Sequence, residues 1–285
     1  MIVKEVDLYS YFKVERPSGA MGYLKVFLLN QKSSTAESRK HPAMLVIPGG
    51  GYYAVSEREA EPIALNYLAN DYNAFILNYS VAPVKFPAQL IEGAMAMAYI
   101  RENAEELNVN AKCVGAVGFS AGGHLLGMIS TMFDRCELDF LKDKKSYVKP
   151  DASLFIYPVV SGVEKPHLGS FENLIGENYE SRLEEFSIDK NVSEKCSPAF
   201  IVSTFKDGGV PCKNSLLLAS AYENYGVPFA LHVFTNGGHG LSTAKQNVFK
   251  KEVYEEVKET TSKDFYKWIK LSINWLEEIG FESID

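Results

Sequence analysis

The chain has few cysteines, no long apolar run and no excess of positive charge. Its four cysteines are Cys113, Cys136, Cys196 and Cys212, and no two of them have the spacing of a Cys-x-x-Cys metal-binding pair. No apolar run approaches the length of a membrane span. The net charge is −7 and no basic stripe is present, which argues against a nucleic-acid partner. We therefore expect neither a membrane nor a nucleic-acid partner.

The beginning of the sequence lacks the apolar core of a signal peptide. Residues 1–16 read MIVKEVDLYSYFKVER, with acidic residues among the apolar ones. We therefore expect a cytoplasmic protein with reduced thiols. The 285 residues are 46% hydrophobic and 23% charged, which is ordinary for a soluble globular chain that can bury a sizeable core.

Residues 113–127, CVGAVGFSAGGHLLG, predict a strand, a sharp turn and a helix with Ser120 at the apex. The Gly-x-Ser-x-Gly spacing has a steric reason, since Gly118 and Gly122 approach each other across the turn where a Cβ would clash. This pattern favours Ser120 as a nucleophile. The alternative is a tight turn with a serine N-cap. A serine hydroxyl is a weak nucleophile without a base, so partners elsewhere in the chain must decide.

Apolar strand-like runs alternate with helical patterns along most of the chain. This alternation predicts a three-layer α/β/α sandwich around a mainly parallel sheet. Besides the run that begins at Cys113, the predicted strands are Tyr23–Leu29, Ala43–Ile47, Ala74–Tyr79, Ala152–Tyr157, Ala199–Thr204 and Phe229–Phe234. The other predicted helices are Glu57–Asn70, Ala88–Glu106, Asn214–Tyr225 and Phe265–Ile279.

Ser161–Ser197 breaks this rhythm, because it is too long for an ordinary connection. We predict a single domain over residues 1–285 with 161–197 as a small cap inserted over the site, carrying one helix near Glu177–Phe186. The alternative is a surface excursion without a role in binding. Asp134–Pro150 and Gln31–Lys40 are polar or charged and predict loops.

Four chemically suggestive elements all follow predicted strands: Gly49–Gly51, Ser120, Asp207 and His239. Ligands of such sheets bind beyond the carboxyl ends of the strands, so these elements should meet. The glycine run can expose backbone amides; a phosphate loop is disfavoured because no Gly-Lys-Ser/Thr follows. The order Ser, Asp, His is that of one known serine triad.

Among the histidines, His239 alone follows a strand within a glycine-rich loop, which favours it as the base. His41 and His232 lie before and inside strands, His124 should be structural, and His167 stays unassigned. Asp207 is preferred as the acid because it follows a strand end directly. Asp189 lies in the insertion, and Asp151 lies at the opposite end of the sheet.

Six motifs in this order are similar to those of α/β-hydrolase esterases, both the acetyl-xylan esterase type of carbohydrate esterases and the hormone-sensitive-lipase-like group. They are Ile47–Tyr52, Asn78–Pro83, Phe86-Pro87, Gly118–His124, Asp207-x-x-Val210-Pro211 and Gly237–Gly240. The chain departs from the family pattern twice. Pro48 replaces the histidine of His-Gly-Gly-Gly, and Ser80 replaces the arginine of Tyr-Arg-Leu-Ala-Pro.

The resemblance implies an esterase in which Ser120 attacks a carbonyl, His239 accepts the proton and Asp207 orients the ring. It places the oxyanion hole at the amides of Gly50, Gly51 and Ala121, and it implies no metal or cofactor. The expected substrate is a small-molecule ester, with acetyl on a sugar-like alcohol. An amidase such as an arylformamidase, a peptidase and a non-catalytic ligand-binding member stay open, as does a homo-oligomer.

Overall fold

A mainly parallel eight-stranded sheet forms the centre of the protein, in a computed structural model that describes residues 1–29 and 39–284. The predicted loop Gln31–Lys40 lies, apart from its last two residues, outside the described residues. The strands are β1 (Ile2–Asp7), β2 (Tyr23–Leu28), β3 (His41–Ile47), β4 (Asn73–Asn78), β5 (Val109–Phe119), β6 (Ala152–Ile156), β7 (Ala199–Thr204) and β8 (Phe229–Phe234). They confirm the predicted strands to within a few residues.

The strand order is β1-β2-β4-β3-β5-β6-β7-β8. The pairs β1–β2 and β2–β4 are antiparallel, and every later pair is parallel. The carboxyl ends of β3, β5, β6, β7 and β8 therefore meet at one edge of the sheet. All the predicted site residues follow strands that end at this edge.

Helices cover both faces of the sheet. They are α1 (Leu8–Phe12), α2 (Glu61–Leu68), α3 (Ala88–Glu102), α4 (Ala121–Thr131), α5 (Leu168–Ile175), α6 (Ile188–Asn191), α7 (Lys213–Asn224), α8 (Lys251–Thr260) and α9 (Trp268–Glu278). The buried side chains of α3, α4 and α7 share one core with one face of the sheet, and those of α2 and α9 share a second core with the other face. No described helix is long and apolar enough to cross a membrane.

Strand β3 shows why the sheet forms here. Ala43, Leu45 and Ile47 face the first core, whereas Met44 and Val46 face the second. All seven residues of the strand are buried. Side chains alternate between the faces of a sheet, so an uninterrupted apolar run suits a strand covered on both sides.

Two local predictions were wrong. The predicted loop Asp134–Pro150 contains 3-10 helical turns over Cys136–Tyr147. In the insertion, the described residues near Glu177–Phe186 hold only a short 3-10 turn, Tyr179–Arg182, and the main helix is α5. The apolar residues of α5 recur every three residues, at Leu168, Phe171 and Leu174, a spacing that forms one helical face.

The turn after β5 confirms the steric reading of the Gly-x-Ser-x-Gly motif. Ser120 has φ 51° and ψ −120°, a strained conformation for a residue with a side chain. A Cβ on Gly118 would lie 2.5 Å from the Gly122 carbonyl oxygen, and one on Gly122 would lie 2.2 Å from the Ile47 oxygen. The two glycines therefore allow Ser120 to be raised above the sheet.

The substitution Gly122→Ala is expected to destabilise the fold by about 2 to 3 kcal/mol, because the new methyl group meets backbone oxygens that cannot move away. The control is Gly169→Ala in α5, where a Cβ has only an ordinary contact at 4.0 Å. That variant should keep or slightly raise stability. Urea unfolding measures both, and equal midpoints would contradict the steric account.

Candidate active site

Ser120, His239 and Asp207 form one continuous hydrogen-bonded chain at the carboxyl edge of the sheet. Ser120 Oγ lies 2.7 Å from His239 Nε2, and His239 Nδ1 lies 2.7 Å from Asp207 Oδ2. The Asp207 carboxylate can only accept, so it accepts a hydrogen bond from Nδ1–H and leaves Nε2 to accept from the serine hydroxyl. This geometry allows proton transfer from Ser120 to His239.

The backbone after β7 holds Asp207 in place. Its Oδ1 accepts hydrogen bonds from the amides of Gly209 and Val210, both at 2.9 Å. The carboxylate is buried and all its bonds are made within the protein, so its orientation is fixed. A Cβ on Gly209 would lie 2.9 Å from His239 Cβ, so glycine there lets the two loops approach. The Asp-x-x-Val part of the motif thus has a structural reason.

The glycine run after β3 lies beside Ser120. A Cβ on Gly49 would lie 3.0 Å from Ser120 Cβ. Gly50 and Gly51 have φ values of +126° and +64°, which glycine alone adopts without strain. Within the described part of the chain, neither of their amides donates a hydrogen bond to another residue. The Ala121 amide, at the first position of α4, lacks an intrahelical partner by geometry.

A buried polar network, which the sequence reasoning missed, supports this loop. Glu59 Oε2 accepts from the Gly49 amide at 2.9 Å, and Glu59 Oε1 accepts from the Tyr157 hydroxyl at 2.7 Å. The Tyr157 hydroxyl in turn accepts from the Ser242 amide at 2.8 Å, just beyond His239. The network joins the loops after β3, β6 and β8. The sequence offered no signal for it, because Glu59 reads as an ordinary acid at the start of the predicted helix Glu57–Asn70.

His124 also belongs to the support of the site and is not a second base. Its Nδ1 lies 2.9 Å from the Tyr52 hydroxyl, and its Nε2 lies 2.8 Å from the Phe186 carbonyl oxygen. The carbonyl can only accept, so Nε2 carries the proton and Tyr52 donates to Nδ1. Burial lowers the pKa of His124 to about 4, so the ring is neutral at neutral pH. The structural role predicted for His124 agrees with these contacts.

The two departures from the family pattern are accommodated differently. The Pro48 carbonyl accepts a hydrogen bond of 2.8 Å from the Tyr79 hydroxyl, which anchors the start of the glycine run. The Ser80 hydroxyl and amide both donate to Glu92, which also accepts from Tyr9 at 3.0 Å. Burial raises the pKa of Glu92 to about 7 despite these donors. Ser80 thus hydrogen-bonds a buried acid from the position where the family pattern has an arginine.

The other histidine and aspartate candidates from the sequence lie on other elements and do not contact Ser120. His41 begins β3, and His232 lies within β8. Asp151 pairs with Arg101 at 2.9 Å, and Asp189 lies in α6. In residues 1–29 and 39–284, no group of three His, Cys, Asp or Glu side chains is arranged to hold a metal ion. The predicted absence of a cofactor stays a prediction.

The chain is similar to known proteins over most of its length. The model of the BD-FAE family matches residues 31–222. The chain belongs to the BD-FAE family. An endo-1,4-beta-xylanase B of Butyrivibrio fibrisolvens is 36% identical over 221 residues, which are 74% of this chain and 34% of that protein. An acetylxylan esterase of Xylanibacter ruminicola is 31% identical over 206 residues, 70% of this chain and 41% of that protein. The chain therefore spans less than half the length of these curated relatives.

A solved structure matches nearly the whole chain. The acetyl ester-xyloside bifunctional hydrolase of Caldicellulosiruptor lactoaceticus matches with a TM-score of 0.82 and 33% identity, over 98% of this chain and 97% of that one. The protein therefore has the α/β-hydrolase fold, as the motifs predicted.

The buried histidine has a measurable effect on stability. Its folded pKa, about 4, lies below its ordinary value of 6.5, so between these pH values the unfolded chain binds a proton that the folded chain does not. The contribution of His124 is fully present above pH 6.5 and is lost as the pH falls toward 4. The stability advantage of the wild type over His124→Gln should therefore shrink by about 1 to 3 kcal/mol over this range.

Urea unfolding at a series of pH values from 7 to 4.5 measures this difference, and the opposite contribution of Glu92 cancels because both proteins contain it. His232→Gln is the matched control. Its ring is only half-buried, so that variant should show a smaller change with pH. A constant difference between the wild type and His124→Gln at all pH values would refute a buried neutral His124.

Proposed function

We propose that the protein is a serine carboxylesterase that cleaves short-acyl esters, acetyl above all, of a sugar-like alcohol. The observation that carries this proposal is the unbroken chain from Ser120 Oγ through His239 to Asp207, with both hydrogen bonds at 2.7 Å. A nucleophile, a base and an orienting acid in mutual contact are the requirements for acyl transfer.

In the proposed mechanism, Ser120 Oγ attacks the ester carbonyl carbon and its proton passes to His239 Nε2. Asp207 stabilises the imidazolium. The tetrahedral intermediate collapses, and the alcohol leaves with the proton from Nε2. Water then attacks the acyl-enzyme after losing a proton to His239, and the acid is released as Ser120 regains its proton.

The negative oxygen of each intermediate needs donors that are already in place. We assign this role to the amides of Gly50, Gly51 and Ala121, which border Ser120. The hydrogen bonds of Glu59 and Tyr79 to the amide and the carbonyl of the Pro48–Gly49 peptide group keep the start of the glycine loop in one conformation. Donors that need no rearrangement during the reaction stabilise an oxyanion most effectively.

The choice of a sugar-like ester rests on two lines of support. Two of the relatives above are named as an acetylxylan esterase and an acetyl ester-xyloside hydrolase. The side of the insertion nearest the glycine loop is polar, because Asn173 Nδ2 donates to the Gly51 oxygen at 3.0 Å and Ser170 lies beside it. We propose that 161–197 is the cap over the site.

The substitution Ser120→Ala is expected to lower turnover of 4-nitrophenyl acetate on the order of a million-fold, because the nucleophile is lost. Asp207→Asn should lower it about ten-thousand-fold through the wrong histidine tautomer. A fluorophosphonate probe should label the wild type and not Ser120→Ala. The exposed Ser146→Ala serves as the matched serine control. Labelling of the Ser120→Ala protein would remove Ser120 from the role.

The acyl preference is tested with a series of 4-nitrophenyl esters from acetate to octanoate. A closed acyl pocket should make kcat/KM fall beyond the acids of two to four carbons. An open lipase-like tunnel would instead add about 0.8 kcal/mol of favourable burial for each methylene. A maximum at eight carbons would refute the deacetylase proposal and leave the serine hydrolase standing.

A further inference from the structure

His167, the histidine without a role so far, lies beside the candidate active site. It directly precedes α5, and its Cε1 atom lies 4.0 Å from the position that a Cβ on Gly51 would take. The ring is close enough to His239 and Asp207 for both to influence its pKa electrostatically. Burial, the largest cause, and the nearby His239 both lower the pKa of His167, so it is neutral at neutral pH.

Ser170 is the hydrogen-bond partner of this ring. Its Oγ lies 2.8 Å from His167 Nδ1, and its side chain is buried. Among the described residues the Ser170 hydroxyl has no other acceptor, which favours the tautomer in which Ser170 donates to Nδ1 and the ring proton is on Nε2. In that tautomer Nε2–H is a donor with no partner among the described residues.

The position of this donor relates it to one part of the substrate. The carbonyl oxygen of a bound ester is directed to the glycine-loop amides, and the leaving oxygen must reach His239 Nε2 to receive its proton. His167, in the insertion, lies beside the Gly51 loop and within electrostatic range of His239. We therefore expect the group beyond the leaving oxygen, which is the alcohol, to be the part of the substrate nearest His167.

We propose that His167 Nε2–H donates a hydrogen bond to an oxygen of the alcohol part of the substrate, and that the Ser170–His167 pair selects polyhydroxylated alcohols over apolar ones. The inference rests on the proposed esterase function. A ring held in one tautomer needs no rearrangement before it donates. An apolar alcohol would leave this donor unpaired, and that cost disfavours binding of such a substrate.

The experiment compares kcat/KM for an acetylated methyl xyloside with kcat/KM for 4-nitrophenyl acetate, whose alcohol has no hydroxyl groups to accept. In His167→Phe, which keeps a planar ring and removes the donor, the ratio should fall about 10-fold, as expected for one lost hydrogen bond. His167→Gln, which keeps an N–H donor, should recover part of the ratio. Ser170→Ala should lower it by a smaller factor, because both tautomers become available.

Leu216→Ala is the matched control, since Leu216 is exposed on α7, outside the proposed cap, and its loss should leave both rates unchanged. An unchanged ratio in a folded His167→Phe protein would overturn the inference, as would an equal loss on both esters. A wild type inactive on both esters, and unlabelled by the fluorophosphonate probe, would refute the proposed function itself. Retained activity with a lowered ratio supports both.

Discussion

The strained backbone of Ser120 is the constraint on which the site depends. A residue with a side chain occupies a positive φ at the end of β5, and two neighbouring glycines leave the space that makes this possible. Backbone hydrogen bonds hold this conformation. The Ser120 amide donates to the Ile156 carbonyl oxygen, and the Val159 amide donates to the Ser120 carbonyl oxygen, both at 3.0 Å. A rigid, fully buried scaffold therefore stores the energy of the turn.

The elements around the serine are connected by buried polar groups rather than by apolar packing alone. Glu59 and Tyr157 join three loops through hydrogen bonds between 2.7 and 2.9 Å. Trp268 adds a fourth element, since its indole nitrogen donates to the Ser242 carbonyl oxygen at 3.0 Å. Networks of this kind fix one geometry when every member is paired. The loop that carries His239 is thus tied to the glycine loop, to the loop after β6 and to α9.

The sequence predicted those features that depend on residues close together in the chain. The strand ends, the glycine-flanked Ser120 and the loop positions of Asp207 and His239 follow from periodicity and from the chain order, and the structure brings these residues together. Their catalytic roles stay proposals that the variants test. The strand bounds of β7 and β8 were predicted to the residue because both runs end in distinct turn residues.

The sequence was less informative where partners are far apart in the chain. Glu59 reads as an ordinary helix-start acid, and only the fold shows that Tyr157, 98 positions later, donates to it. The helix α5 was missed because charged residues nearby masked a short apolar repeat. Gly176, with a φ of +88°, ends that helix before the segment where a helix was predicted.

The bond between His124 and the insertion has a consequence for how this family can diverge. His124 donates to a carbonyl of the main chain, and Asn173 likewise donates to the main-chain oxygen of Gly51. A backbone acceptor is supplied by every amino acid, so the His124 hydrogen bond depends on the course of the chain at residue 186, while the buried Phe186 ring packs against Phe86. Exposed side chains of the insertion can therefore vary in evolution while these two main-chain acceptors keep the segment attached to the scaffold.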